Sequence, residues 1–355
     1  MDKDATPPDW YPYWGKAGPA GTHLLAYHNL DVAACGLVLL RRRPHWRRAL
    51  ERLTGLSRSD LEAQVGIYFA LHDLGKFATG FQNLRPDLLH ELQGRRSNKG
   101  YLTRHDTLGY LLWRQWLRKR LLPTSERRRR IPSHPQLDQW LRVVTGHHGH
   151  PPSEEEQVLR DAFDLPHDAD AAEGFVRALL ELWNRATLPL SPQEPMPMAS
   201  WWLAGLMVLA DWLGSNANWF PPRREHIPFA DYWQRALAQA EEAVSAAGLQ
   251  APHPNPHFRL VDAFGTPPDD LRATPLQRWA EEVPLSTGPT LFLLEDFTGS
   301  GKTEAALTLA QRMMRMGSGT GLYFALPTMA TANGIYRRLA AGNPPVYRRL
   351  FQGRP

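Results

Sequence analysis

Phe69-Ala70-Leu71-His72-Asp73-Leu74-Gly75-Lys76-Phe77 is the stretch on which the reading of this 355-residue chain turns. A neutral imidazole and a carboxylate sit side by side where an apolar run ends. That pair can offer a nitrogen ligand and a bridging oxygen ligand to one metal site. His-Asp also occurs at 105–106 and 167–168. The first copy alone lies in apolar sequence, between Val65-Gly66-Ile67-Tyr68-Phe69 and Phe77. A carboxylate buried there needs a cation or hydrogen-bond donors. His167-Asp168 follows Pro166 among acidic residues and reads as surface loop.

Helical periodicity surrounds the pair. Asp60 is placed to cap a helix running to about Lys76. Further helices are expected at 30–40, 107–122, 136–145 (stopped by Gly146), 154–163 and 171–185. Two more are expected at 201–213, with Ser200 as cap, and at 231–247. Residues 1–22 read as irregular, and no strand is evident before about 258. The first 250 residues are therefore expected to be all-α.

Candidate partners for His72-Asp73 recur in this region. His28 is expected just ahead of the helix at Leu30, and His105 just ahead of the one at Thr107. His147-His148 lie between Gly146 and Gly149, where the backbone can turn sharply. Asp211 interrupts Leu206-Met207-Val208-Leu209-Ala210-Asp211-Trp212-Leu213. A carboxylate in that setting is expected to be paired or metal-bound.

Hydrophobic content of 43% and 13 Trp support large cores, and the length allows two domains or three. One cysteine, Cys35, excludes an intramolecular disulfide and fits a reducing cytoplasm. No signal-peptide pattern is present, and the longest apolar stretch, Trp201 to Ala210, is too short to span a bilayer. Net charge is +5, clustered at Arg41–Arg43, Arg47-Arg48, Arg118–Arg120 and Arg127–Arg130. Such clusters suit a polyanion, and each alone equally suits a solvated face. Arg127–Arg130, between Pro123 and Pro132, is expected to be a mobile loop.

The composition changes after about residue 250. Proline density at 251–275 reads as a linker. From 276 to 355 the pattern becomes α/β, with strands expected at Thr290–Glu295 and Gly321–Leu326 around a helix at Glu304–Met316. Asp296-Phe297-Thr298-Gly299-Ser300-Gly301-Lys302-Thr303 follows the first strand and opens the helix, the context of a phosphate-binding loop. Backbone N–H groups of Thr298 to Gly301 and the helix N-terminus would cradle phosphate. Lys302 would reach the β/γ-phosphates, and Thr303 would bind Mg²⁺. Asp296 replaces the first glycine of the general motif.

The order His28, His72-Asp73, His105, His147-His148, Asp211 resembles the HD-type nuclease of the CRISPR-associated type I helicase–nuclease family. Ala210-Asp211-Trp212-Leu213-Gly214-Ser215-Asn216 is most similar to the type I-E branch. The resemblance covers essentially the whole chain and implies an all-α HD-type nuclease domain followed by an incomplete α/β RecA-like helicase lobe. It implies two divalent transition metal ions, with Fe²⁺ favoured and Mn²⁺, Co²⁺ or Ni²⁺ alternatives. Asp73 would bridge them. His28, His72 and Asp211 would complete one ion, and His105, His147 and His148 the other. Lys76 would steady a phosphate. Gln277 resembles an adenine-reading glutamine. Pro327-Thr328, and Ser215-Asn216 in the nuclease domain, are expected to touch DNA.

The implied function is cleavage of single-stranded DNA, the displaced R-loop strand, in the cytoplasm. In the parent protein it would be coupled to ATP- and Mg²⁺-driven 3′-to-5′ translocation. The implied partner is an RNA-guided surveillance complex (Cascade), engaged by a monomer. With no Asp-Glu-x-His segment and no second lobe within 355 residues, this polypeptide is expected not to unwind DNA or turn over ATP efficiently. An HD-type nucleotide phosphohydrolase and a non-catalytic docking module are the alternatives.

Overall fold

A computed structural model describes residues 7–122, 135–153, 159–188, 197–250, 253–265 and 272–351. The chain divides into two compact units, Met1–Gln250 and Ala251–Pro355. The Arg127–Arg130 cluster lies outside the described residues, as do 154–158 of one expected helix.

The first unit opens with an antiparallel hairpin, β1 (Trp14–Gly18) and β2 (Gly21–Leu24). The unit is mostly helical, as expected, but the sequence expectations were that residues 1–22 are irregular and that no strand precedes about residue 258. Pairing of Lys16 with His23 and Ala17 with Thr22 corrects both. So short a hairpin carries too few alternating residues to show a period. Helices α1 (Leu25–Arg42), α2 (Pro44–Thr54) and α3 (Arg58–Phe69) follow. Every residue of α1 from Leu25 to Leu40 is buried, and α1 packs against α3 and two later helices. His28 thus lies inside a helix rather than ahead of one.

Ser57, not Asp60, caps α3, its side chain accepting from the Asp60 N–H. That helix stops at Phe69, and a single 3-10 turn covers Leu74–Phe77. His72 and Asp73 therefore lie in the bend between the two, not on a helix face. Short helices α4 (Thr79–Gln82) and α5 (Pro86–Gln93) come next. The helix expected at 107–122 is α6 (His105–Leu112), a π-helical turn (Trp113–Leu117) and α7 (Arg118–Leu121) in succession. Then come α8 (Pro135–Thr145), α9 (Leu159–Ala162), α10 (His167–Leu182), α11 (Pro197–Gly214) and α12 (Phe229–Ala246). Ser200 falls inside α11 and does not cap it. Helices α11 and α12 both pack on α1. Tyr232 of α12 stacks on Tyr27 at 3.7 Å between centroids and donates to Asp31, which His23 also holds.

His167-Asp168 is not a surface loop. Asp168 is fully buried in the first turn of α10. Its Oδ2 accepts from the N–H and hydroxyl of Thr79 at 2.8 and 2.7 Å, and from the Asp164 N–H at 2.8 Å. Tyr13 and Arg95 donate to Oδ1. Burial alone would raise its pKa, but hydrogen bonds from His167, Thr79 and the Asp164 N–H hold the carboxyl below its usual range.

The second unit contains α13 (Pro275–Glu282), α14 (Lys302–Arg315), α15 (Met329–Ala340) and α16 (Val346–Arg349). Two small clusters hold it: Phe258, Ala263, Leu307, Val346 and Leu350, and Ala280, Ala305 and Leu309. The strands expected at 290–295 and 321–326 are absent: among the described residues the sole sheet is β1–β2. A RecA-like lobe is therefore not evident. A buried parallel strand needs hydrogen-bonded neighbours on its edges. Here neither segment has one, and Leu291, Leu293 and Tyr323 stay exposed. Among the described residues, no helix is long and apolar enough to cross a membrane.

Candidate metal centre

The two oxygens of Asp73 face opposite groups of imidazoles. Oδ2 lies 3.2 Å from His28 Nε2 and 3.3 Å from His72 Nε2. Oδ1 lies 3.4 Å from His105 Nε2 and 3.7 Å from His147 Nε2. Asp211 Oδ1 closes the first side, 3.8 Å from His28 and 3.9 Å from His72. His148 closes the second, its Nε2 2.9 Å from His105 Nε2. The seven side chains come from α1, the bend after α3, the first residue of α6, the turn after α8, and α11.

Neighbouring groups fix how the rings point. His72 Nδ1 meets Phe69 O at 2.9 Å, and His147 Nδ1 meets Val144 O at 3.0 Å. A ring that donates from Nδ1 presents the Nε2 lone pair inward. Tyr101 OH accepts from the His105 N–H and lies 2.8 Å from its Nδ1. The Ser215 hydroxyl donates to Asp211 Oδ1 at 2.8 Å.

Protonation suits ligation. Burial pushes His105 down to about 4 and His147 to about 3. Burial drives His28 well below the usual imidazole value. Burial also works against ionising Asp73, but Lys76 and then His72 outweigh it and hold the carboxyl well below its usual range. Asp211 is lowered to about 2, with His72 and His28 outweighing burial. Near neutrality His28, His105 and His147 are neutral and Asp73 and Asp211 are ionised, the forms metals bind.

The donor set fits divalent transition cations. His72 Nε2 and Asp73 Oδ1 are buried without a hydrogen-bond partner, an arrangement costly unless something fills it. Two imidazole nitrogens 2.9 Å apart repel unless a proton or cation serves one of them. Two compact groups, His28-His72-Asp73 and His105-His147-His148, each keep their ligand atoms within 4.8 Å of one another. Imidazole-rich ligation favours Fe, Mn, Co or Ni over Mg.

Lys76 is neither exposed nor free. Its ammonium sits 2.6 Å from Asp73 Oδ2 and donates to Gly15 O at 3.2 Å. Ser215 is occupied by Asp211, and Asn216 accepts from the Asn218 N–H in a local turn. Sequence reasoning missed Lys16, Tyr101 and Asp168. Only Asp168 carried a signal, the His-Asp dipeptide, and its proline-flanked acidic setting concealed it.

Gly75 holds the two halves together. A Cβ there would lie 1.9 Å from His105 O and 2.7 Å from Gly109 N, both backbone atoms. Gly75→Ala must therefore part the 3-10 turn from α6. The expected cost is about 3 kcal/mol, the upper end of overpacking penalties, with weakened manganese binding. Thermal unfolding and calorimetric titration with Mn²⁺ measure both; an alanine variant with parental values for each contradicts this.

In the second unit, the phosphate-type loop turns through Gly299 and Gly301 at φ +86° and +83°. Lys302 Nζ folds back onto Asp296 O and Phe297 O, each at 2.6 Å. Gln277 forms a capping box with Thr274, and its amide reaches toward Gly301 O. Gln277, Gly299, Gly301 and Lys302, with Thr298 and Thr303, line an open cleft of about 530 Å³. Thr328 caps α15 through the Thr331 N–H, beside Pro327. Thr328 and Pro327 belong to a different unit from Ser215 and Asn216.

A family model described as Cas3, HD domain, matches residues 14–220. The chain is similar to the CRISPR-associated endonuclease/helicase Cas3 of Thermus thermophilus, 33% identical over 343 residues, covering 92% of this chain and 35% of that protein. It is 29% identical over 363 residues to the Escherichia coli protein of the same description, covering 93% of this chain and 39% of that one. The chain thus spans 35–39% of the length of these curated relatives. Among solved structures, one described as a CRISPR-associated protein superposes with a TM-score of 0.72 at 26% identity, over 98% of this chain and 38% of that one. The T. fusca Cas3–ATP structure, at 23% identity and a TM-score of 0.70 over 98% of this chain and 38% of that one, shows likeness of fold.

Proposed function

The chain belongs to the Cas3 HD-domain family, and from that premise we propose that its first unit is a metal-dependent nuclease that hydrolyses phosphodiester bonds of single-stranded DNA. The observation that carries this is the division of the Asp73 carboxylate between two imidazole groups, with Asp211 and His148 closing the two sides. His28, His72 and Asp211 would hold one cation, His105, His147 and His148 a second, and Asp73 both. Cations so placed would supply charge neutralisation at a phosphate and acidify water. The chain's part is to keep the ligands aimed and ready to bind. Burial keeps His28, His105 and His147 neutral, Phe69 O and Val144 O fix two rings, and Ser215 orients Asp211.

The relatives' names support extending the reading. In a longer protein the nuclease would work with ATP-driven 3′-to-5′ translocation on the displaced strand of an R-loop. An RNA-guided surveillance complex would recruit it in type I CRISPR interference. A structure described as an RNA-guided surveillance complex before nicking shares this fold, with a TM-score of 0.62. In the second unit, Thr298 to Thr303 and Gln277 would bind nucleotide, and Pro327-Thr328 would contact DNA.

The test is incubation with Mn²⁺ or Fe²⁺ and either circular single-stranded DNA or nucleotides. Loss of the circles supports the nuclease; phosphate release from nucleotides with intact circles supports a phosphohydrolase instead. No bound transition metal and no activity on either would leave a docking module. Lys302→Ala is expected to leave metal-dependent cleavage within about twofold of parent, because Lys302 belongs to the second unit and every proposed ligand to the first. It should weaken binding of a fluorescent ATP analogue about tenfold or more, since a charged hydrogen-bond partner is removed. Unchanged nucleotide binding would argue against the loop assignment.

A further inference from the structure

Lys76 was expected to steady a phosphate, yet its charge is spent on Asp73 and Gly15 O. A second lysine stands beside it. Lys16 follows Gly15 in β1, just where the register of the hairpin shifts between Trp14 and Lys16. Such bulges re-aim a side chain next to active sites. The bulge lies against the centre: a Cβ on Gly15 would sit 3.3 Å from His28 Cβ. Gln82 pins it, taking the Trp14 N–H on Oε1 and donating to Trp14 O.

From there Lys16 reaches α11. Its ammonium donates to Ser215 O at 3.4 Å, and the Ser215 hydroxyl holds the ligand carboxylate Asp211. It forms no ion pair among the described residues, although Asp211, Lys76 and Asp73 all lie within electrostatic reach. Lys16 is half-buried, so the cost of its desolvation is partly met already, and most of its donor capacity remains unused.

We propose that Lys16 contacts the substrate, donating from Nζ to a non-bridging oxygen of the phosphodiester held at the metal centre. This rests on the nuclease reading above. The two lysines then divide the work: Lys76 balances the Asp73 carboxylate from within, and Lys16 meets the phosphate at the rim beside Asp211.

The experiment compares the parent chain with Lys16→Gln and Lys16→Arg. Three readouts are taken: calorimetric binding of Mn²⁺, calorimetric binding of dAMP to the manganese-loaded protein, and salt-dependent binding of a phosphorothioate single-stranded oligonucleotide. Lys16→Gln should leave Mn²⁺ affinity within about threefold and weaken dAMP about ten- to hundredfold, the scale of one charged hydrogen bond. Its log–log salt slope for DNA should shrink by about 0.7, the loss of one phosphate contact. Lys16→Arg should keep most dAMP affinity. A glutamine variant with parental dAMP affinity and salt slope overturns the proposal, as does one whose main loss is in Mn²⁺ binding. A parent that binds Mn²⁺ but neither dAMP nor DNA sinks the nuclease reading itself, and Lys16 with it.

Discussion

Asp73→Asn is expected to abolish metal-supported DNA cleavage, lowering its rate by about 10²–10³-fold or more, the cost of removing one central charge-stabilising group. Asparagine keeps the volume but offers one neutral oxygen where two anionic ones face His28-His72 and His105-His147. It also leaves the Lys76 ammonium, now 2.6 Å from Oδ2, without its counter-charge. Both effects work against holding two cations on one side chain. Cleavage of circular single-stranded DNA and Mn²⁺ stoichiometry are the measurements, with circular dichroism to show that the variant folds. Parental cleavage by this variant would be incompatible with Asp73 as the shared ligand.

The second large effect lies outside the ligand set. Asp168→Asn is expected to destabilise the first unit by roughly 3 kcal/mol, because buried donors lose their acceptor. An amide NH₂ would face either the N–H groups of Thr79 and Asp164, now donating to Oδ2, or the Tyr13 hydroxyl and Arg95, now donating to Oδ1. For a unit of this size that is a fall of roughly 6–12 °C in Tm. The folded-state pKa of Asp168 is depressed. Its contribution is therefore complete above the ordinary carboxylate pKa and is lost as pH falls through the lower folded value. The Tm gap between parent and variant should be full near neutrality and close only in strong acid. A gap that persists unchanged at low pH would mean that the charge of Asp168 is not what matters. Thr79 follows the bend that carries His72 and Asp73 and the 3-10 turn that carries Lys76, so Asp168 anchors both from behind.

Six of the seven ligand candidates could be named from sequence because each is a metal-binding side chain in an apolar or glycine-flanked setting; His105, in the polar run Thr103-Arg104-His105-Asp106, is named only by its place ahead of a helix and in the family order. The ends of their helices were less legible. Ser57 and Asp60 are both good cap residues three apart, and only the fold selects Ser57. The strands expected at 290–295 and 321–326 have the right local pattern, but a strand exists only with a neighbour on its edge.

Side-chain chemistry and local pattern, the properties the sequence determines by itself, established the helical character of most of the first unit, the loop before α14 and the order of the ligands. Tertiary structure alone decided that His72-Asp73 sits in a bend, that Lys76 neutralises Asp73, that Asp168 is buried, and that Lys16 stands beside Ser215. The reason is distance along the chain: Asp168 and Thr79 are 89 residues apart, and Lys16 and Ser215 are 199 apart. Burial and partnership depend on which remote segments pack together, and no local spacing encodes that.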